Sequence, residues 1–357
     1  MYKTKLGLFF ILFTFVLSAC ASGTPTPPPQ QFSAITIDSA AIAGNILGQK
    51  TEQTINIYLP PSYNTSTKRY PVVYYLPGYA EATMKISLPK DADALIEAGA
   101  IKEMILVIIP GGWSFYTNSP ITGNWEDFVV KEVVRYVDSN YRTLPNAESR
   151  GISGHSMGGY GSLNIAMLHP DVFGAVYSIS PGLFDENGLA TSQMYGADAV
   201  TKNFMKVQQG ILELPEDEQL KGVMSMYDFF TVAYGMAFAP NPENPPFYFD
   251  YPYTESNGQL VRDEEIWKRW ESGFGGIPDE IVKYKDNLLK LKGITVDYAI
   301  QDELAWIPRG CIYFDQQLTA AGIPHELIAY EGNHSGKVKE RVSEYLLPYF
   351  SELLVGE

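Results

Sequence analysis

Cysteine is nearly absent: the 357 residues hold two, Cys20 and Cys311. Cys20 sits in a leader-like segment, so no disulfide is expected and the folded part must rest on its own core. With 45% apolar residues it has the material to do so. Histidine is also scarce. The four imidazoles and two thiols are scattered without metal-ligand spacing, so neither a metal nor another cofactor is expected. Positive charge is thin: 26 Lys and Arg face 41 Asp and Glu, a net charge of −15. No basic cluster follows Lys5, which argues against nucleic acid and against anionic lipid surfaces as electrostatic partners. There is no internal repeat and no heptad run, and the apolar stretch at 6–16 is too short to span a bilayer comfortably.

What is present begins with a leader. Lys3 and Lys5 precede that apolar stretch, and Leu17-Ser18-Ala19-Cys20 follows it. This order resembles the lipobox of bacterial lipoproteins, in which the signal is cut before the cysteine and the thiol carries lipid. Residues 21–31, rich in Pro and small polar side chains, read as a semi-extended tether. The expected organisation is a signal peptide at 1–19, lipidated Cys20 with its tether at 20–31, and a domain at 32–357. The domain would stand outside the cytoplasm on the cell envelope, touching the membrane only through the lipid.

The domain reads as α/β. Residues 32–40 and 54–59 suit two antiparallel opening strands, and 71–76, 104–109, 148–153, 172–179, 294–300 and 324–330 suit buried strands. Helical patterns at 91–98, 125–140, 160–168, 307–321 and 338–353 fall between or after them. Strands alternating with helices predict a mostly parallel sheet with helices on both faces. The rhythm breaks at about 183–292, which is expected to be an inserted cap. Within it Phe247, Tyr248, Phe249, Tyr251 and Tyr253 crowd seven residues between prolines. They are read either as an aromatic wall of a substrate site or as packing of the cap onto the core.

Gly154-His155-Ser156-Met157-Gly158 fits G-x-S-x-G. With 31 glycines in the chain the pattern alone is a weak sign. Its context strengthens it, because a strand pattern precedes it and a helix pattern follows. A sharp strand-to-helix turn exposes Ser156 at its tip, and side chains at 154 and 158 would collide there. The N–H of Met157 then points where an oxyanion would form.

A serine hydroxyl needs a base. His155 is adjacent to Ser156 and is expected to be turned away by the elbow. His169 ends a helix before Pro170, and His325 opens a strand. His334 lies in the loop after the last strand, at the sheet edge where the elbow also sits, and is the expected base. Asp302 follows a strand at that same edge and is the expected acid; Glu303 is the alternative if the turn register differs by one. The order Ser156, Asp302, His334 is that of α/β-hydrolases.

On these residues the chain resembles the esterase D-like family of α/β-hydrolases, which includes feruloyl and acetylxylan esterases, siderophore esterases, S-formylglutathione hydrolases and mycolyltransferases. The resemblance is carried by Tyr74-Tyr75-Leu76-Pro77-Gly78-Tyr79, by 122–128, by 154–159, by Asp297 to Asp302, and by Gly332-Asn333-His334-Ser335. It implies an α/β-hydrolase fold, with the N–H groups of Met157 and Tyr79 forming an oxyanion hole. Pro77 departs from the histidine or aspartate common before that glycine, and the long cap departs further. Trp125, Tyr248 and Tyr251 are candidates for substrate contact. The expected activity is serine carboxylester hydrolysis through an acyl-enzyme, on small-molecule or polysaccharide-linked substrates that are carbohydrate-linked or aromatic acyl esters. The alternatives are a siderophore esterase or acyltransferase on the same machinery, or a non-catalytic surface binding protein.

Overall fold

The first parallel strand shows how the sheet is buried. In β3 (Val72–Leu76), Val72, Tyr74 and Leu76 join one core cluster while Val73 and Tyr75 join another. A strand covered on both faces needs no polar alternation, which is why it reads as a continuous apolar run. The computed structural model describes residues 31–79, 88–192, 198–226 and 229–357. Cys20 and the tether before residue 31 lie outside the described residues.

The other strands of the sheet are β1 (Phe32–Asp38), β2 (Glu52–Tyr58), β4 (Ile105–Ile108), β5 (Arg150–His155), β6 (Ala175–Ile179), β7 (Gly293–Ala299) and β8 (Glu326–Tyr330). They lie in the order β1-β2-β4-β3-β5-β6-β7-β8. The pairs β1–β2 and β2–β4 are antiparallel; every other pair is parallel. The sheet is therefore mixed and mostly parallel, as the alternating pattern predicted.

Two helical layers cover it. On one face lie α1 (Leu88–Glu97) and the closing helix, which runs Val338–Arg341, widens into a π turn over Val342–Leu346 and ends at Leu347–Leu353. On the other lies α2, built of Trp125–Asp127, a π turn over Phe128–Val133, and Val134–Asn140. Beside it is α3 (Met157–Leu168). The cap contributes α4 (Asp198–Leu212), α5 (Glu216–Met224), α6 (Phe229–Phe238), a hairpin of Tyr253–Ser256 with Gln259–Arg262, and α7 (Glu264–Phe274). Next comes α8 (Ile277–Leu288), which packs on α3 and on α9 (Trp306–Ala321), with Asn287 Nδ2 donating to the Met167 carbonyl at 3.1 Å. That helix completes the crossover from β6 to β7 within the core layer.

Several bounds differ from the sequence reading. The elbow strand starts at Arg150 and runs to His155, because Ala147–Ser149 forms a 3-10 turn capped by Asn146. At Gly151 a Cβ would stand 2.3 Å from the Phe350 ring, so packing selects the glycine. The helix after the elbow starts at Met157 rather than Tyr160, since one residue makes the whole turn.

Candidate active site

That residue is Ser156, at φ 57 and ψ −116. A non-glycine residue there costs roughly 1–3 kcal/mol and persists only where neighbours over-determine it. The neighbours are close. A Cβ on Gly154 would lie 2.2 Å from the Gly158 carbonyl oxygen, and one on Gly158 would lie 1.9 Å from the Leu76 carbonyl oxygen. The two glycines thus let the elbow fold on itself and let the end of β3 rest against it. Ser156 N–H donates to the Ile179 carbonyl at 2.9 Å, tying the elbow to the end of β6 as well.

The loop after β8 brings His334 to Ser156. His334 Nε2 lies 2.9 Å from Ser156 Oγ, and His334 Nδ1 lies 2.6 Å from Asp302 Oδ2. A carboxylate only accepts, so Nδ1 carries the proton, and Nε2 is left to accept the serine proton. The Asp302 side chain is fully buried. Its other oxygen accepts from the Leu304 N–H at 2.8 Å, which fixes the carboxylate plane. Glu303 takes a different place. It accepts from the backbone N–H of His334 at 3.0 Å, and that bond holds its carboxyl below the ordinary range.

The loops carrying Asp302 and His334 are stitched together. Gln301 N–H donates to the Gly332 carbonyl at 3.0 Å, and Gly332 N–H donates to Gln301 Oε1 at 2.6 Å. Ile300 N–H adds a bond to the Tyr330 carbonyl at 2.9 Å.

The other histidines are engaged elsewhere. His169 occupies the C-cap of α3 and pairs with Glu126 at 2.8 Å, and His325 pairs with Asp315 at 3.0 Å. His155 departs from expectation. It is buried, its ring centroid is 4.8 Å from that of His334, and its Nε2 is 2.8 Å from the His334 carbonyl oxygen. The side chain preceding Ser156 therefore lies against His334 instead of turning away from it.

Met157 opens α3 directly after the serine, and Tyr79 follows the end of β3. Helix-opening N–H groups have no intrahelical partner, which suits Met157 to an oxyanion. The Tyr79 ring packs on Phe230 at 5.0 Å and on Phe115 at 6.1 Å between centroids. Trp113 stands edge-on to Phe229 at 5.2 Å. Tyr79, Trp113, Phe229 and Phe230 are half-buried, so aromatic surface from α6 reaches the loop after β3. The sequence pointed instead to the aromatics at 247–253, read either as a substrate wall or as packing of the cap. The adjacent Phe229-Phe230 pair opening an apolar helix was the available signal for the surface on α6.

The later aromatics build the cap. Tyr251 packs on Phe204 at 4.7 Å and Trp270 at 5.8 Å, Tyr253 on Trp267 at 5.8 Å, and Phe249 on Trp270 at 5.9 Å. Tyr248, at φ 59, is partly buried against the main core cluster. Trp125 is buried, with its indole N–H on the Thr122 carbonyl at 3.0 Å. One edge of Trp125 borders an open groove of about 550 Å³, which Thr54, Asn56, Gln53 and Trp113 also line. Among the described residues no group of three or more His, Cys, Asp or Glu gathers where it could hold a metal ion.

Comparison with known proteins agrees with this architecture. The family model described as "Putative esterase" matches residues 46–220. An esterase of Mycobacterium tuberculosis is 30% identical over 131 residues, 35% of this chain and 28% of that protein. An endo-1,4-beta-xylanase/feruloyl esterase of Xylanibacter ruminicola is 31% identical over 144 residues, 37% of this chain and 20% of that protein. The alignments thus span under a third of these relatives' own lengths. A solved ferulic acid esterase superposes with a TM-score of 0.57 at 20% identity, covering 91% of this chain and 98% of its own. The fold is that of the α/β-hydrolase esterases, and residues 46–220 are similar to the esterase family that the matching model describes.

Proposed function

We propose that the protein is a serine carboxylesterase with Ser156 as nucleophile, His334 as general base and acid, and Asp302 as the residue that orients the imidazole. The observation that carries this reading is the unbroken relay from Ser156 Oγ to His334 Nε2 at 2.9 Å and from His334 Nδ1 to Asp302 at 2.6 Å. In the first step Ser156 Oγ attacks the ester carbonyl while His334 takes its proton. The N–H groups of Met157 and Tyr79 receive the oxyanion, and the buried Asp302 carboxylate stabilises the imidazolium. His334 then protonates the leaving alcohol. Water repeats the sequence on the acyl-enzyme and frees Ser156.

The half-buried rings beside the oxyanion loop support an aromatic acyl group, which needs flat apolar surface. The groove bordered by Trp113, Trp125, Thr54 and Asn56 supports an alcohol part with many hydroxyls, such as a sugar. The reading includes lipid attachment at Cys20, which would hold the domain outside the cytoplasm; Leu17-Ser18-Ala19-Cys20 supports it.

The deciding experiment is hydrolysis of a chromogenic ester and a methyl hydroxycinnamate by the pure protein and by Ser156→Ala. The variant should lose about a millionfold in turnover with its fold intact. Turnover retained by Ser156→Ala refutes the nucleophile. A wild-type protein inert on every ester tried, yet binding them, would favour a binding protein. Added acceptor alcohol separates hydrolysis from transfer by the products formed.

A further inference from the structure

We infer that His155 is a positioning residue for His334, an inference that rests on the esterase reading above. The argument starts from the bond at 2.8 Å between His155 Nε2 and the His334 carbonyl oxygen. A carbonyl oxygen can only accept, so Nε2 must carry the proton. His155 is 2% exposed, so this bond is made out of competition with water.

The placement gives the bond its use. His155 is the last residue of β5, held in the sheet by parallel pairing with Ile179 of β6, and Ser156 follows it directly. His334 sits in a partly exposed loop that is not itself part of the sheet. Its N–H is taken by Glu303 at 3.0 Å and its carbonyl by His155. Both backbone groups of the base are therefore held by side chains, and the ring is held by Asp302 at 2.6 Å. Through His155 the nucleophile and its base hang from the same strand end. A movement of the loop that would lengthen the contact between Ser156 and His334 must first break the bond to His155. The two rings, 4.8 Å between centroids and tilted by 42°, also close off the underside of the base.

A misplacement of about 1 Å in a reacting group can cost about a hundredfold in rate. His155→Leu removes the donor at similar bulk and should lower kcat about 10- to 100-fold while KM stays within about twofold. His155→Gln places an amide N–H near the same point and should restore kcat to within about threefold of the wild type. A purely structural role would instead lower both variants alike, together with their melting temperatures. Full kcat in His155→Leu, or equal losses in the two variants, overturns the inference.

Nitrogen-detected NMR of the wild-type imidazoles tests the same point without any substitution. His155 should show a proton on Nε2 that is protected from solvent exchange. A proton found on Nδ1 with Nε2 bare overturns the inference even if no ester is hydrolysed. A protein with the expected tautomer but no ester turnover would instead count against the esterase reading alone.

Discussion

Glu303 and His334 meet through the backbone: the glutamate carboxylate accepts the histidine N–H at 3.0 Å, while the neighbouring Asp302 takes the ring at 2.6 Å. Two consecutive acids thus hold one histidine at two points, and only one of them faces the imidazole. Asp302→Asn should lower kcat roughly 10⁴-fold, because the amide no longer favours the productive tautomer or the cation. Glu303→Gln keeps an acceptor for the N–H and should cost less than about tenfold. Steady-state kinetics on one ester with both variants decides it, and reversed losses would make Glu303 the orienting acid.

The rings beside the oxyanion loop should govern acyl preference. Phe230→Ala removes the contact with Tyr79 at 5.0 Å and should cut kcat/KM for hydroxycinnamoyl esters about 3- to 10-fold more than for acetyl esters. Tyr251→Ala should behave otherwise. It deletes packing on Phe204 and Trp270 within the cap, so stability should fall by about 2 kcal/mol with little change in ester preference. Paired kinetics and thermal melts separate the two effects. A change of preference in Tyr251→Ala alone would return the acyl wall to the segment around 247–253.

Glu280 predicts a pH dependence of stability. It borders a cavity of about 30 Å³ beside α3, lined mainly by apolar side chains such as Leu163, Phe274 and Phe314, and burial raises its pKa from 4.5 to about 7. The folded protein therefore holds this proton more tightly than the unfolded chain. The corresponding stability is fully present below pH 4.5 and is lost as pH rises through about 7. Glu280→Gln mimics the neutral acid. It should match the wild type near pH 4 and exceed it by about 1–3 kcal/mol at pH 8, a range reduced for partial solvent contact. Denaturant titrations at the two pH values test this, and a difference independent of pH would count against it.

The proposed anchor is open to a direct test. Cys20→Ser should abolish incorporation of labelled fatty acid and release the protein from membranes, with esterase activity unchanged, because a tether at 21–31 would separate lipid from domain. Retained label in the variant would refute attachment at that thiol.

Much of the frame was legible because burial leaves plain marks in sequence. Strands covered on both faces show as short apolar runs such as Val72–Leu76 and Ile105–Ile108. The elbow shows because its geometry tolerates only glycine at two positions, where a Cβ would meet backbone within about 2 Å. His334 was legible by elimination, since the loops after parallel strands converge on one edge.

Other features left weaker marks. Strand β5 was read two residues early, at 148–153, because the 3-10 turn at Ala147–Ser149 leaves no plain mark and Gly154, set by the close approach of the elbow, looks like a loop residue. The aromatics at 247–253 stayed open between a substrate wall and cap packing, because density of rings carries no direction. Which rings reach the oxyanion loop depends on how α6 docks, including the bond from Ser119 Oγ to the Met236 carbonyl at 2.7 Å.

By itself the sequence determined the alternation of strands and helices, the glycine-flanked turn at Ser156, and the chain order of Ser156, Asp302 and His334. These follow from local sterics and from the burial of whole segments. Tertiary structure alone decided that Asp302 takes the ring and Glu303 the backbone, that His155 lies against His334, and that Phe230 instead of Tyr251 stands at Tyr79. Each of those choices turns on an ångström-scale approach between residues far apart in the chain. Such approaches are set by how a twisted sheet and a docked cap bring loops together, and no local pattern of residues encodes them.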